Sequence, residues 1–349
     1  PLTCDETPKA TKDNVATVEE QGGQWMICGD LPESGSCKPL ETLSNYTFVY
    51  ENLGPTSDPD FCGWDVVPVC GPEEAITDAC CYVFELGVIC EGRPLRVDGE
   101  HVAAQTRTRE DWLSDFSLNV DELSAEQLNH LSCLWREAAL AEHASVAAFA
   151  KFVLELMWMG APVELVAEAQ EAMGDEIRHA KLCFALTSIF SGASVGPGSF
   201  AEAASSGQLS IEEMMLGVVI DGCINETIAA SIAQVESELA RDAALSAVLA
   251  DLAADERRHS ALSWKALRWL LSEHPDKLED VHRWFDQGLE AQWKKEESSH
   301  EWTHSWGRLS GQEKQSVVRQ TIQEVIGPCA KKLLLTCRQE SQMSATIRA

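Results

Sequence analysis

The residues best equipped for chemistry occur in two copies of one pentapeptide pattern, Asp175-Glu176-Ile177-Arg178-His179 and Asp255-Glu256-Arg257-Arg258-His259. On a helix, Glu and His three positions apart share a face, so each copy offers a carboxylate and an imidazole to one point. The spacing alone is weak evidence, because His282, His300 and His304 also follow a glutamate by three positions. The flanks separate the two copies from the rest. Ala172, Met173, Ala180 and Cys183 surround one, and Leu252, Ala253, Leu262 and Ser263 surround the other, which marks both as inward faces. Two more glutamates stand at the centre of apolar stripes. Glu142 lies among Trp135, Ala138, Ala139, Val146 and Phe149, and Glu226 among Val219, Gly222, Cys223, Ala229, Ala230 and Ala233, where the small residues leave room for a bound group. An uncompensated carboxylate in such a core costs several kcal/mol or takes up a proton. Two divalent cations cancel four carboxylates, so Glu142, Glu176, His179, Glu226, Glu256 and His259 read as the ligands of two metal ions. Oxygen and imidazole donors suit iron, with manganese as the alternative. The competing reading is a metal-free, salt-bridged core or a set of surface charges.

The aspartates of the repeat extend the pattern. Each can accept a hydrogen bond from the histidine of the opposite copy, Asp175 from His259 and Asp255 from His179, which would fix the imidazole tautomers. Arg178 and Arg258 either hold those aspartates ionised or are simply solvated.

Residues that must converge in this way need long helices to carry them. From Ser124 the pattern is helical. Ser124 with Gln127 and Ser210 with Glu213 fit capping boxes, and Pro162 suits a first helical turn. Four helices are expected near 125–159, 162–191, 209–239 and 242–272, with breaks at Gly160, across 192–207 and near Arg241. Two amphipathic segments, 276–297 and 311–335, are expected to pack outside them. The organisation is then a cysteine-rich module over 1–105, a linker over 106–123, a four-helix bundle over 124–273 and accessory helices over 274–349.

The first 90 residues differ in kind. Cys4, Cys28, Cys37, Cys62, Cys70, Cys80, Cys81 and Cys90 lie there, among Gly, Pro and Asp, and only five of the 13 cysteines follow. Without a Cys-x-x-Cys pair this fits a disulfide-stapled strand-and-loop module better than a zinc ribbon, and favours a periplasmic, cell-surface or secreted location. The chain starts at Pro1 with no basic and apolar leader, as expected once an export signal is removed. Further along, Cys183 and Cys223 fall about a turn from the expected ligands and are read as a staple, a redox thiol or ordinary core cysteines. Cys329 and Cys337 suit a local bridge, and Glu297, His300, Glu301 and His304 form an acidic and imidazole strip if that segment is helical. Lys and Arg total 27 against 56 Asp and Glu, a net charge of −29. That balance disfavours nucleic acid as a partner and favours cations. No run of about 18 apolar residues suggests a transmembrane segment.

On the residues Glu142, Glu176-x-x-His179, Glu226 and Glu256-x-x-His259, the chain resembles the ferritin-like diiron-carboxylate superfamily. The Asp-Glu-x-Arg-His form is most similar to bacterial diiron monooxygenases and their relatives. The resemblance implies a mainly α fold, a ferritin-like four-helix bundle with extra C-terminal helices beside the N-terminal module, and Glu176 with Glu256 as the bridging pair. It further implies an oxygen-activating oxidase or oxygenase. The alternatives are a ferroxidase or iron-binding protein, and a metal-stabilised structural subunit that meets a protein partner through its N-terminal module. The reactant is accordingly dioxygen or ferrous iron. Tyr46, Tyr50 and Tyr82 are the only tyrosines. All precede the bundle, which disfavours a tyrosyl-radical function, and the missing Cys-x-x-Cys disfavours a rubrerythrin.

Overall fold

The computed structural model describes residues 24–30, 65–73, 79–87, 92–97, 100–200, 210–292 and 301–348. They divide into two compact units. The first spans Pro1–Ile89 with Lys294–Ser298, and the second spans Cys90–Trp293 with Ser299–Ala349. In the first unit, β1 (Gln24–Asp30), β2 (Asp65–Glu73) and β3 (Ala79–Gly87) form an antiparallel sheet in the order β1-β3-β2. The expected disulfides of this unit lie outside what the described residues report.

The second unit is mainly helical. It opens with short strands β4 (Arg96–Val97), β5 (Glu100–His101) and β6 (Ala104–Arg107), then α1 (Ala125–Trp158) and α2 (Val163–Ser191). Strand β7 (Gly196–Phe200) pairs antiparallel with β6. Helix α3 (Ile211–Leu239) and α4 (Ala243–Glu273) complete the set of long helices. Helix α5 (Leu278–Gln292) and α6, over 311–348, follow. Helix α1 packs along α2 and α3 along α4, while α2 meets α4 across the bundle.

Local chemistry sets the ends. Ser124 and Gln127 form a reciprocal capping box at the start of α1. At α3 only half of the expected box is made: Ser210 accepts from the Glu213 backbone N–H, but its hydroxyl donates to Glu212. Pro162 is the N-cap of α2 and not its first residue, and Gly192 closes α2 at φ 70°, a left-handed conformation that glycine adopts without a Cβ clash.

The core of the bundle falls into separate apolar clusters. Phe149, Phe152, Leu156, Met215, Val219, Ile224, Leu267 and Leu270 fill one end, and Leu131, Trp135, Phe184, Leu186, Leu245 and Leu249 fill the other. Residues 106–123, read from sequence as a linker, lay Trp112, Leu113 and Phe116 on the second cluster. Burial of a large apolar side chain contributes about 1.5–3 kcal/mol, so these elements hold each other in register strongly enough to carry polar groups between them.

Helix α3 is unusual in two ways. Its centre, Val218–Asn225, is π-helical, and the Glu226 N–H bonds back to the Asp221 carbonyl. It is also long and apolar enough to cross a membrane, contrary to the sequence expectation that no segment is, with 67% of its most apolar stretch buried inside the protein. That apolarity faces neighbouring helices and serves the core.

Candidate metal centre

Six side chains from four helices converge midway along the bundle. Helix α1 supplies Glu142, α2 supplies Glu176 and His179, α3 supplies Glu226, and α4 supplies Glu256 and His259. Five are buried, and Glu142 alone is partly exposed, at 20% of its side chain. Ligand atoms of Glu142, Glu176, His179 and Glu256 lie within 4.8 Å of one another, as do those of Glu176, Glu226, Glu256 and His259. Each group can hold a metal ion.

The two groups share Glu176 and Glu256, and the oxygens divide between them. His179 Nδ1 is 3.1 Å from Glu256 Oε1 and 3.7 Å from Glu176 Oε2. His259 Nδ1 is 3.1 Å from Glu176 Oε1 and 3.5 Å from Glu256 Oε2. Glu142 Oε2 lies 3.6 Å from His179 Nδ1, and Glu226 Oε2 lies 3.9 Å from His259 Nδ1. The imidazole centroids stand 5.9 Å apart.

These atoms are close without being hydrogen-bonded. Glu176 Oε2, both oxygens of Glu226, Glu256 Oε2 and the Nδ1 atoms of both histidines are buried with no hydrogen-bond partner. Buried polar groups in native proteins are almost always paired, because each orphan costs about 1–3 kcal/mol. A concentration of orphans all aimed at one point fits cations better than a metal-free salt-bridged core.

The far nitrogens are satisfied. His179 Nε2 meets Asp255 Oδ2 at 3.1 Å and His259 Nε2 meets Asp175 Oδ2 at 3.2 Å, the crossed arrangement expected from the repeat. With Nε2 facing a carboxylate, Nδ1 is the nitrogen turned to the glutamates and the one a metal would take. Arg178 and Arg258 close the ring from the surface: Arg178 pairs with Asp175 and, at 3.2 Å, with Asp255, and Arg258 pairs with Asp175 at 3.0 Å and Asp255 at 2.6 Å. Burial pushes the Asp175 carboxyl up, but hydrogen bonds from His259 and Arg178 outweigh it and hold it at about 2.

Burial and neighbouring carboxylates raise Glu142 and Glu226 well above the ordinary carboxylate range. Burial acts against ionisation of His179 and His259 too, yet the surrounding carboxylates raise both imidazoles well above 6.5. Glu256 is held well below 4.5 because His259 and His179 outweigh its burial.

Several residues at the centre escaped the sequence reading. Arg93, 5% exposed, stacks on Phe149 and Phe152, donates to Ser263 Oγ at 2.9 Å, and brings its Nε to 3.6 Å from Glu226 Oε1. A Cβ on Gly222 would lie 2.4 Å from Ser263 Oγ and 2.8 Å from Arg93 Nη2, so this glycine makes room for a guanidinium and not for a metal-bound group. On the other side, a cavity of about 30 Å³ is lined by Trp135, Glu142, Glu176, Cys183, Glu236, Glu256 and Arg308. Arg308 pairs there with Glu236 at 3.5 Å and lies over Trp135.

Three weaker readings resolve as follows. Cys183 and Cys223 are free, buried thiols in opposite core clusters, so no staple joins α2 to α3. Cys329 is a free thiol, so the C-terminal bridge is not made. Of the acidic and imidazole strip, Glu297 and His300 lie outside the described residues, and His304 sits in a 3₁₀ turn bonded to Glu313 at 2.8 Å. No family model, curated protein or solved structure matches the chain.

Proposed function

We propose that the chain is a ferritin-like, dinuclear metal-carboxylate protein that holds two iron ions and acts as an oxygen-activating oxidase or oxygenase. Manganese fits the same donors. The observation that carries the reading is the division of oxygens: each of Glu176 and Glu256 turns one oxygen to His179 and the other to His259, the geometry of two carboxylates bridging a metal pair. Glu142 with His179 then completes one position, and Glu226 with His259 the other. Bound ferrous iron would supply the electrons that dioxygen needs to react.

The chain's own residues account for the rest of the chemistry. The Asp255–His179 and Asp175–His259 pairs orient the imidazoles and fix their tautomers. The cavity beside Glu142 admits a reactant of dioxygen or water size, and its apolar wall of Trp135 and Cys183 keeps bulk water away. The same small volume favours a second reading, a ferroxidase whose substrate is ferrous iron itself, arriving past the partly exposed Glu142. The eight N-terminal cysteines, seven of them in the first unit, support an extracytoplasmic location with disulfides there.

The test is dioxygen consumption after anaerobic loading with ferrous iron, for the parent and for Glu176→Ala with Glu256→Ala. Uptake that is lost in the variant supports an oxygen-reactive centre. Uptake that continues with repeated iron additions and no organic substrate selects the ferroxidase. Bound metal that ignores dioxygen leaves a structural role.

A further inference from the structure

Arg93 belongs to a short strap, residues 92–96, which precedes α1 by a wide margin in sequence yet reaches the centre of the bundle. The strap is tied to three helices. Ser145 of α1 donates to the Arg93 carbonyl at 2.8 Å, Arg96 binds Asp221 of the π-helical turn at 3.1 Å, and Arg93 donates to Ser263 of α4. Leu95 is buried beside it. The guanidinium is thus held by two aromatic faces and a hydroxyl, and α3 carries glycine at the one position where a side chain would expel it.

We propose that Arg93 is a positioning residue that orients Glu226 and so makes the two metal positions unequal, an inference that rests on the two-ion reading. The cation sits 3.6 Å from Glu226 Oε1, while Oε2 is the oxygen turned towards His259. One oxygen faces the guanidinium in an ion pair without a hydrogen bond and the other is turned towards His259, so the cation sets which oxygen Glu226 offers to a metal. Among the described residues no guanidinium pairs with Glu142 in this way, and Glu142 borders the cavity and solvent. Exchange of reactants therefore belongs to the Glu142 side, and the Glu226 side is the sealed, permanent half.

Two effects of Arg93 on a cation oppose each other. Its positive charge repels the ion, and its hold on Glu226 pre-orients the ligand. With the charge taken up by the adjacent carboxylate, pre-orientation dominates, and groups that orient metal ligands in this way are typically worth about 10–100-fold in affinity.

The experiment loads the full chain with Mn²⁺ and follows it by EPR. Two ions sharing carboxylates give an exchange-coupled signal, and an ion alone gives a mononuclear pattern. Arg93→Met keeps the stack on Phe149 and Phe152 and removes the guanidinium. It should bind the first ion as the parent does and need at least about tenfold more Mn²⁺ to develop the coupled signal. Arg93→Lys should restore part of the difference, which a loss of packing alone would not predict. Ser263→Ala, which removes one hydrogen bond to the guanidinium, should shift the second step by about threefold. Coupled signal from Arg93→Met at or below the parent's Mn²⁺ concentration overturns the proposal. Should Arg93→Met lose the parent's far-ultraviolet circular dichroism, Ser263→Ala decides, and unchanged loading in it is the contrary result. Absence of a coupled signal in the parent overturns the two-ion reading itself, and this proposal with it.

Discussion

The two halves of the candidate metal centre carry the same pentapeptide and end up in different surroundings. On the α1–α2 half, Glu142 projects from a regular α-helix, keeps 20% of its side chain exposed and borders a cavity. On the α3–α4 half, Glu226 follows a π-helical turn, is fully buried and faces Arg93. The repeat supplies what both positions need in common, a shared carboxylate and an imidazole held by an aspartate. The differences come from outside it, from a strap, a widened turn and a buried arginine. A symmetric pair of ligands can therefore serve an asymmetric task, with one half closed and one half reachable.

The largest expected effect separates shared from unshared ligands. Glu256→Ala removes an oxygen from each position and should abolish tight binding of both ions, a loss of more than about 100-fold in each step. Glu226→Ala should cost one ion and leave the other within about threefold of the parent. Equilibrium dialysis with ferrous iron distinguishes them. Equal losses in the two variants would mean that the division of oxygens between His179 and His259 has no functional weight.

The crossed aspartates give a smaller, sharper contrast. Asp175→Asn should weaken the position of His259, and Asp255→Asn that of His179, each by about tenfold. The same dialysis, with the Arg93→Met background marking which step belongs to the Glu226 half, reads the assignment. If both variants weakened the same step, the crossing would be wrong.

The smallest effect lies away from the centre and serves as its control. Burial pushes the Glu313 carboxyl up, but hydrogen bonds from Ser310 and His304 outweigh it, so the group sits below 4.5. A carboxylate held low stabilises the fold fully above its unfolded pKa, and that contribution is lost as pH falls through the folded value. Glu313→Ala should lower stability by about 0.5–1 kcal/mol at neutral pH, with a gap from the parent that shrinks below about pH 4.5. Metal binding by this variant should not change. A gap that stays constant with pH in urea titrations would remove the carboxylate from the account of this cap.

Much of the centre was legible in the sequence because helical periodicity is local. Glu and His at three-residue spacing, flanked by Ala, Leu and Cys, declare an inward face whatever the rest of the chain does. The ends of α1 and α2 were legible for the same reason, at Ser124, Gly160 and Gly192. What stayed hidden is long-range. Arg93 lies in a segment whose cysteine-rich neighbours suggested a separate module, and nothing local says that Gly92-Arg93-Pro94 enters a bundle. Gly222 was the available clue. A glycine one turn before a buried glutamate suggested space, but sequence could not say what fills it. The π-helical turn was equally invisible, since the weak helix formers of Val218–Asn225 do not specify a π turn, and the Arg96 contact with Asp221 is long-range. Cys183 and Cys223 each fall about a turn from a ligand in sequence, which does not say which cluster each joins, and the structure puts them in different ones.

The most direct test of the central claim is anomalous diffraction at the iron edge from crystals of the full chain loaded anaerobically with ferrous iron. The account predicts two peaks about 3.5–4 Å apart, each within bonding distance of oxygens from both Glu176 and Glu256, one beside His179 and one beside His259. A single peak, or peaks that leave either shared glutamate without a metal, would contradict it.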